Sequence, residues 1–303
     1  MKLIPIFLTI SLPALASTPV LAPLEFLKAA GVKTLAENSA IGVGYAHLTE
    51  AQENLLSRLS HAAGKCGGFE VLSEQGKFSG SSALNELSER VKRDMERASL
   101  QAAPKTIVPK PEITAALGEL KAENIQQMVE WLSSFPSRYN KLPDPNQHVT
   151  QLEAKLRELL RDYKGTWSVE QIAHTSTRQK SLRVRLEGAK RPSEIVVLGG
   201  HLDSINQWGG SRAPGADDNA SGSATLIEAL RVIAGKAPAE RSVEFFFYAG
   251  EESGLLGSAE IARQYKSAGR NVVAVLQLDM TRDRKSTRLN SSHGYISYAV
   301  FCL

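Results

Sequence analysis

Six acidic or imidazole side chains in the second half of the chain have the types and spacing needed to grip metal cations. They are His201 and Asp203 in Gly199-Gly-His-Leu-Asp-Ser204, Asp217 in Ala213-Pro-Gly-Ala-Asp-Asp-Asn-Ala-Ser-Gly222, the adjacent Glu251 and Glu252 in Gly250-Glu-Glu-Ser-Gly-Leu-Leu-Gly257, and Asp279 in Leu276-Gln-Leu-Asp-Met280. A neutral imidazole among carboxylates, without thiolates, suits zinc, manganese or cobalt better than calcium or magnesium. The acids outnumber the histidine enough to share two cations. A water held between two metals about 3.5–4 Å apart is a nucleophile near neutral pH. One glutamate of the 251–252 pair can ligate while the other takes the proton of that water. Asp217 opens a helix beginning near Asn219, where a carboxylate can bridge two metals. Asp203, two residues after His201, can accept from the second imidazole nitrogen and fix its tautomer.

Taken singly, each of these residues has an ordinary alternative: a core histidine, a helix N-cap at Asp217 or Asp218, turn formers at Glu251 and Asp279. The elements that carry them weigh against coincidence. Apolar runs at 194–198, 242–248 and 272–278 predict strands buried on both faces, with helices at 219–233 and 257–267 between them. Strands alternating with helices predict an α/β fold, a three-layer sandwich with a mostly parallel, mixed central sheet flanked by helices. The candidate ligands stand just past the C-terminal ends of these strands, where sites of open α/β sheets form. His47, His61, His148 and His174 lie outside this pattern and read as surface or structural residues.

The rest of the sequence bounds the answer. With 303 residues, 42% hydrophobic and 22% charged, the chain has the composition of a globular protein. Its 2 Cys exclude a disulfide-dense framework or a cysteine-rich zinc finger. The formal charge of +4 is scattered and forms no basic stripe, which argues against nucleic acid as a partner. Residues 1–17, with a basic tip, a short apolar run and Ala14-Leu-Ala16, predict a secretory signal too short to span a bilayer. The mature protein is then expected to be secreted or periplasmic, without membrane attachment. Residues 18–110 carry helical patterns at 50–62 and 85–98, and a proline-bearing linker at 103–111 separates them from a domain at 111–281. Residues 282–303, which include His293 and Cys302, resemble a translated sequencing adapter and are expected to be non-native. Their removal would leave Cys66 alone, a small hydrophobe or free thiol without an intrachain partner.

In order and spacing, the four ligand-bearing segments resemble the motifs of secreted bacterial leucyl aminopeptidases, two-zinc metalloexopeptidases. The resemblance covers roughly residues 113–281, and 18–110 is similar in position to the propeptide of such precursors. It implies removal of an N-terminal Leu, or another bulky apolar residue, from peptides with a free N-terminus, by a monomer holding two zinc ions. By motif position, His201 and Asp279 would hold one zinc, Glu252 the other, and Asp217 would bridge them. Glu251 would be general base and acid, Asp203 would orient His201, and a cis peptide would join Asp217 to Asp218. A further family histidine, well downstream of the Asp279 motif, has no counterpart here. Weak binding of the second zinc, an exposed sheet edge and slow turnover are therefore expected. The rival readings are a single-zinc glutaminyl cyclase or carboxypeptidase-like hydrolase, and a non-catalytic receptor-like relative.

Overall fold

The computed structural model describes residues 17–63, 68–72, 80–101, 110–206 and 210–281. The expected signal up to Ala16, Cys66, and residues 282–303 with His293 and Cys302 lie outside the described residues. Residues 18–101 build a four-stranded antiparallel sheet in the order β2-β3-β1-β4, from β1 (Thr18–Pro23), β2 (Ala36–Asn38), β3 (Val43–Leu48) and β4 (Glu70–Val71). Three helices accompany it: α1 (Leu24–Ala29), α2 (Glu50–Ala62) and α3 (Gly80–Gln101). Val20, Phe26, Leu27, Ala46, Leu48 and Leu56 form a core of their own between sheet and helices. The helical expectation for 18–110 is thus corrected to a mixed α+β unit. Helices α2 and α3 stand where the patterns put them and α1 was not foreseen, while strands as short as β2 and β4, of 3 and 2 residues, are too brief for alternation to show. Helix α2 starts on a capping box: the Thr49 hydroxyl accepts from Gln52 N at 3.4 Å while Gln52 Oε1 accepts from Thr49 N at 2.9 Å.

The second unit opens with α4 (Pro111–Leu117), α5 (Ala122–Ser133) and α6 (Gln147–Leu159). Its five strands are β5 (Trp167–Ile172), β6 (Ser181–Leu186), β7 (Arg191–His201), β8 (Arg241–Tyr248) and β9 (Asn271–Gln277), in the order β5-β6-β8-β7-β9. Strand β7 runs parallel to β8 and β9, whereas β6 is antiparallel to β5 and β8, so the sheet is evenly mixed. The antiparallel pair escaped the sequence pattern because Leu182-Arg-Val-Arg-Leu186 alternates instead of forming a continuous apolar run.

Crossover helices α7 (Gly222–Ala234) and α8 (Leu256–Ser267) cover opposite faces of this sheet. The period of 2 along β8 divides its aromatics between them. Phe245 and Phe247 pack with Leu132, Leu152 and Leu230 on one side, Phe246 and Tyr248 with Ile261 and Tyr265 on the other. Truncating one of these fully buried phenylalanines to Ala would cost about 3–5 kcal/mol. Among the described residues β9 is an edge strand, with Val273 and Leu276 exposed. Register aligns the strand ends: His201 lies opposite Tyr248, and Gly199 opposite Gln277. The loops leaving β7, β8 and β9 are therefore neighbours. No helix among the described residues is long and apolar enough to cross a membrane.

Candidate metal centre

Strand β7 ends on His201, whose ring is fully buried. Its Nδ1 lies 3.2 Å from the backbone carbonyl of Asp203, which can only accept, so Nδ1 carries the proton. The Nε2 lone pair then points into the cleft, 3.0 Å from Asp218 Oδ1, 3.5 Å from Asp279 Oδ1 and 4.0 Å from Glu251 Oε2. The Asp203 carboxylate, 3.4 Å from Nδ1, has a second task. Its Oδ1 accepts from Glu251 N at 3.0 Å and its Oδ2 from Glu252 N at 3.1 Å. Asp203 thus positions three side chains, the imidazole through its carbonyl and the glutamate pair through its carboxylate.

Asp217 and Asp218 exchange the expected roles. In the irregular turn 216–221 before α7, Asp218 (φ −100°, ψ 99°) and Asn219 (φ −129°, ψ 45°) leave the helical region, and the cis peptide joins Asp218 to Asn219 instead of Asp217 to Asp218. The extended backbone turns Asp218 inward, where Oδ1 meets His201 and Oδ2 lies 3.4 Å from His61 Nε2. Asp217 Oδ1 accepts from the Ser221 hydroxyl at 3.2 Å. Two adjacent aspartates in sequence do not reveal which one the backbone turns inward.

Two residues that the motifs did not single out hold these loops together. Asn219 Nδ2 donates to Leu278 O at 3.0 Å, and its Oδ1 accepts from Gly222 N at 3.0 Å and Met280 N at 3.2 Å, tying the Asp218 turn to the Asp279 loop. A Cβ on Gly222 would stand 2.6 Å from Leu278 O, so the approach requires glycine. Fully buried Arg138 donates to the carbonyls of Leu202 and Leu132 at 2.9 Å, of Gly215 at 3.0 Å, and of Pro214. Burial pulls its guanidinium down to about 10, against the carboxylates of Asp203, Asp218 and Glu252, and it stays cationic.

The third correction is His61. It stands near the end of α2 in the first unit, yet its Nε2 is 3.0 Å from Glu252 Oε2. The second cluster, expected to lack an imidazole, has one. His47, His148 and His174 do read as structural: they contact Tyr45, Gln179 and Ser181 respectively. Nothing in the local sequence of α2 marks His61 as different from them. Its partners lie more than 150 residues away along the chain.

Among the described residues three donor triplets result: His201–Asp218–Asp279, His201–Glu251–Glu252 and His61–Asp218–Glu252, each with one ligand atom per residue and all atoms within 4.8 Å of one another. Nε2 of His61 and of His201, Oε2 of Glu251 and of Glu252, and Oδ1 of Asp279 are buried and have no hydrogen-bond partner. Buried polar atoms in this state are costly unless a cation satisfies them, and the N and carboxylate-O donor set fits zinc. The electrostatics agree. Burial lifts the Glu251 carboxyl well above the usual range, opposed by His201 and reinforced by Glu252, Asp279 and Asp203. Burial with the Asp218 charge pushes Glu252 up to about 7 against the pull of His61. Desolvation would depress His201, but the surrounding carboxylates hold it well above the ordinary imidazole value. Without cations, protons must do the work of neutralising the pocket.

Residues 182–299 match the sequence pattern of peptidase family M28. A probable leucine aminopeptidase of Arthroderma otae is 38% identical over 187 residues, 59% of this chain and 51% of that protein. Leucine aminopeptidase 1 of Trichophyton equinum is 39% identical over 192 residues, 59% and 50% of the two chains. The chain spans about half the length of the curated relatives it matches. Among solved structures, the LapA aminopeptidase of Legionella pneumophila is 25% identical with a TM-score of 0.67, covering 88% of this chain and 71% of that one. LapB from the same organism, 20% identical with a TM-score of 0.70, shares the fold over 88% and 70% of the two chains. Residues 111–281 are little more than half of the chain, so these overlays take in much of the first unit as well. The sequence pattern matched by residues 182–299 and the fold shared with LapA thus point the same way, towards peptidases of family M28 as what this part of the chain resembles.

Proposed function

We propose that the α/β unit is the catalytic portion of a zinc aminopeptidase that removes an N-terminal residue, Leu or another bulky apolar one, from peptides. The observation that carries it is the convergence of buried donor atoms without hydrogen bonds at the carboxyl ends of β7, β8 and β9. His201, Asp279 and Asp218 would hold one zinc, and Glu252 with Asp218 the other. Bound zinc supplies Lewis acidity and positive charge there. Asp218, Glu251, Glu252 and Asp279 together bring four carboxylates, which two divalent cations would balance, while Asp203 is offset by Arg138. That balance favours two metals over a single-zinc cyclase.

Glu251 is the group to move the proton. Its backbone is held by Asp203, its carboxyl is 4.0 Å from His201 Nε2, and burial raises its proton affinity. It takes a proton from the attacking water and delivers it to the amine that leaves as the peptide C–N bond breaks. The leucine preference is supported by the names of the fungal relatives. The test is hydrolysis of Leu-p-nitroanilide by the purified chain, before and after chelation and after zinc is added back. Loss with chelator and recovery with zinc are expected, and an N-acetylated substrate should be refused. A folded, zinc-loaded protein that hydrolyses neither this nor other aminoacyl-p-nitroanilides, whether intact or freed of the first unit by cleavage between the two units, would overturn the proposal.

A further inference from the structure

We infer that His61 is a metal donor delivered by the first unit, so that α2 closes the site and holds the chain in a latent form. The imidazole is set for that role. Its Nδ1 lies 2.7 Å from the carbonyl of Ser57, one helical turn earlier, and must donate to it, which leaves Nε2 as the free donor. Nε2 faces Glu252 Oε2 at 3.0 Å and Asp218 Oδ2 at 3.4 Å. A buried lone pair aimed at two carboxylates is repulsive unless a cation or a proton stands between them. Asp218 reaches His201 with Oδ1 and His61 with Oδ2, so one carboxylate belongs to both outer triplets.

The placement of α2 is reinforced on both sides of His61. Lys141 of the second unit reaches Glu50 at 3.4 Å and Glu53 at 3.5 Å in the first turn of α2. Beyond α2, Val71 N donates to Gly254 O at 3.2 Å, and Phe69 and Val71 pack so tightly over Gly254 that a Cβ there would come within 2.7 Å of each. This is the turn that carries Glu251 and Glu252. With α2 in place both glutamates are buried, 6% and 2% exposed. The latency, unlike the metal donation, rests on the aminopeptidase reading: a peptide N-terminus must reach the face that α2 covers.

The experiment compares the full chain with His61→Ala and His61→Gln, all reconstituted with zinc. Bound zinc is measured by mass spectrometry after dialysis against a graded chelator, with circular dichroism as a check on folding. In both variants the more weakly held zinc should be lost at chelator strengths lower by about two orders of magnitude or more, with the other zinc retained. Free imidazole should restore part of that affinity in His61→Ala, which a merely unfolded variant would not show. At saturating zinc, hydrolysis of Leu-p-nitroanilide should rise in both variants. Unchanged affinity for both zincs would overturn the inference, even if hydrolysis is found. A weakened second zinc with no hydrolysis in any form would leave the His61 donor standing and sink the aminopeptidase reading instead.

Discussion

Substitution of Asp203 by Asn separates two roles that coincide in this one residue. The fully buried carboxylate accepts from Glu251 N and Glu252 N, one oxygen to each. Asparagine keeps one acceptor oxygen and sets an NH2 against the other amide. That amide loses its partner in a buried place, costing about 1–3 kcal/mol, and the remaining bond loses its charge assistance, about 1 kcal/mol more. A loss of about 2–4 kcal/mol corresponds to a fall in Tm on the order of 10 °C for a domain of this size. The His201 tautomer should survive, because the backbone carbonyl of residue 203 fixes it. Displacement of the glutamate pair should therefore weaken the zinc at Glu252 by about 10–100-fold, more than the zinc at His201 and Asp279. The assays are thermal melts of zinc-loaded and chelated protein, with zinc content followed along a chelator titration. A melt unchanged within about 1 °C, or earlier loss of the zinc at His201, would refute this division of labour.

Other substitutions test the remaining parts. Glu251→Gln should lower kcat for Leu-p-nitroanilide by about 10²–10⁴-fold with zinc content intact, as measured by mass spectrometry. Arg138→Met should strip buried carbonyls of Leu202, Leu132, Pro214 and Gly215 of their donor and cost about 4 kcal/mol or more in urea unfolding. Glu228 gives a pH test away from the metals. Against the effect of burial, hydrogen bonds from Arg231, Asn124 and the Lys121 amide hold its carboxyl down to about 2 from an ordinary 4.5. A lowered carboxyl stabilises the fold above its unfolded value and ceases to do so as pH falls through the folded one. The advantage of wild type over Glu228→Gln, about 3 kcal/mol at pH 7, should thus narrow between pH 4.5 and 2 in chemical unfolding.

What could be read from sequence follows from how far each determinant reaches. The runs at 194–198, 242–248 and 272–278 are buried on both faces, so composition alone marks them, and the residues after them become candidate ligands because strand ends converge. His201, Glu251, Glu252 and Asp279 stand in the cleft for that reason. Asp218 could not be told from Asp217, because the choice depends on φ and ψ at two residues of an irregular turn. Asn219 acts through hydrogen bonds with backbone amides and a carbonyl, and Arg138 through bonds to backbone carbonyls, none of which leave a mark on residue spacing. His61 was out of reach for a different reason. Its neighbours Ser57 and Ser60 are those of an ordinary amphipathic helix, and its role arises only when two units with separate cores meet.

That meeting gives the His61 inference a thermodynamic consequence. The pairs between Lys141 and the two α2 glutamates involve partly exposed groups and are worth at most about 1 kcal/mol each. The Val71–Gly254 hydrogen bond adds about 1 kcal/mol. Nitrogen donation to a bound metal is stronger than any of these, since ligand bonds of structural zinc supply enough free energy to fold whole domains. Metal occupancy and docking of the first unit then become one coupled equilibrium, and by reciprocity whatever the unit adds to the affinity of the second zinc, that zinc adds to the retention of the unit. Cleavage of the full chain by trypsin at Lys105 makes the coupling visible. With zinc bound, the nicked first unit should stay associated through gel filtration; after chelation it should elute separately, and equal release in both states would break the link between the metal and the docking.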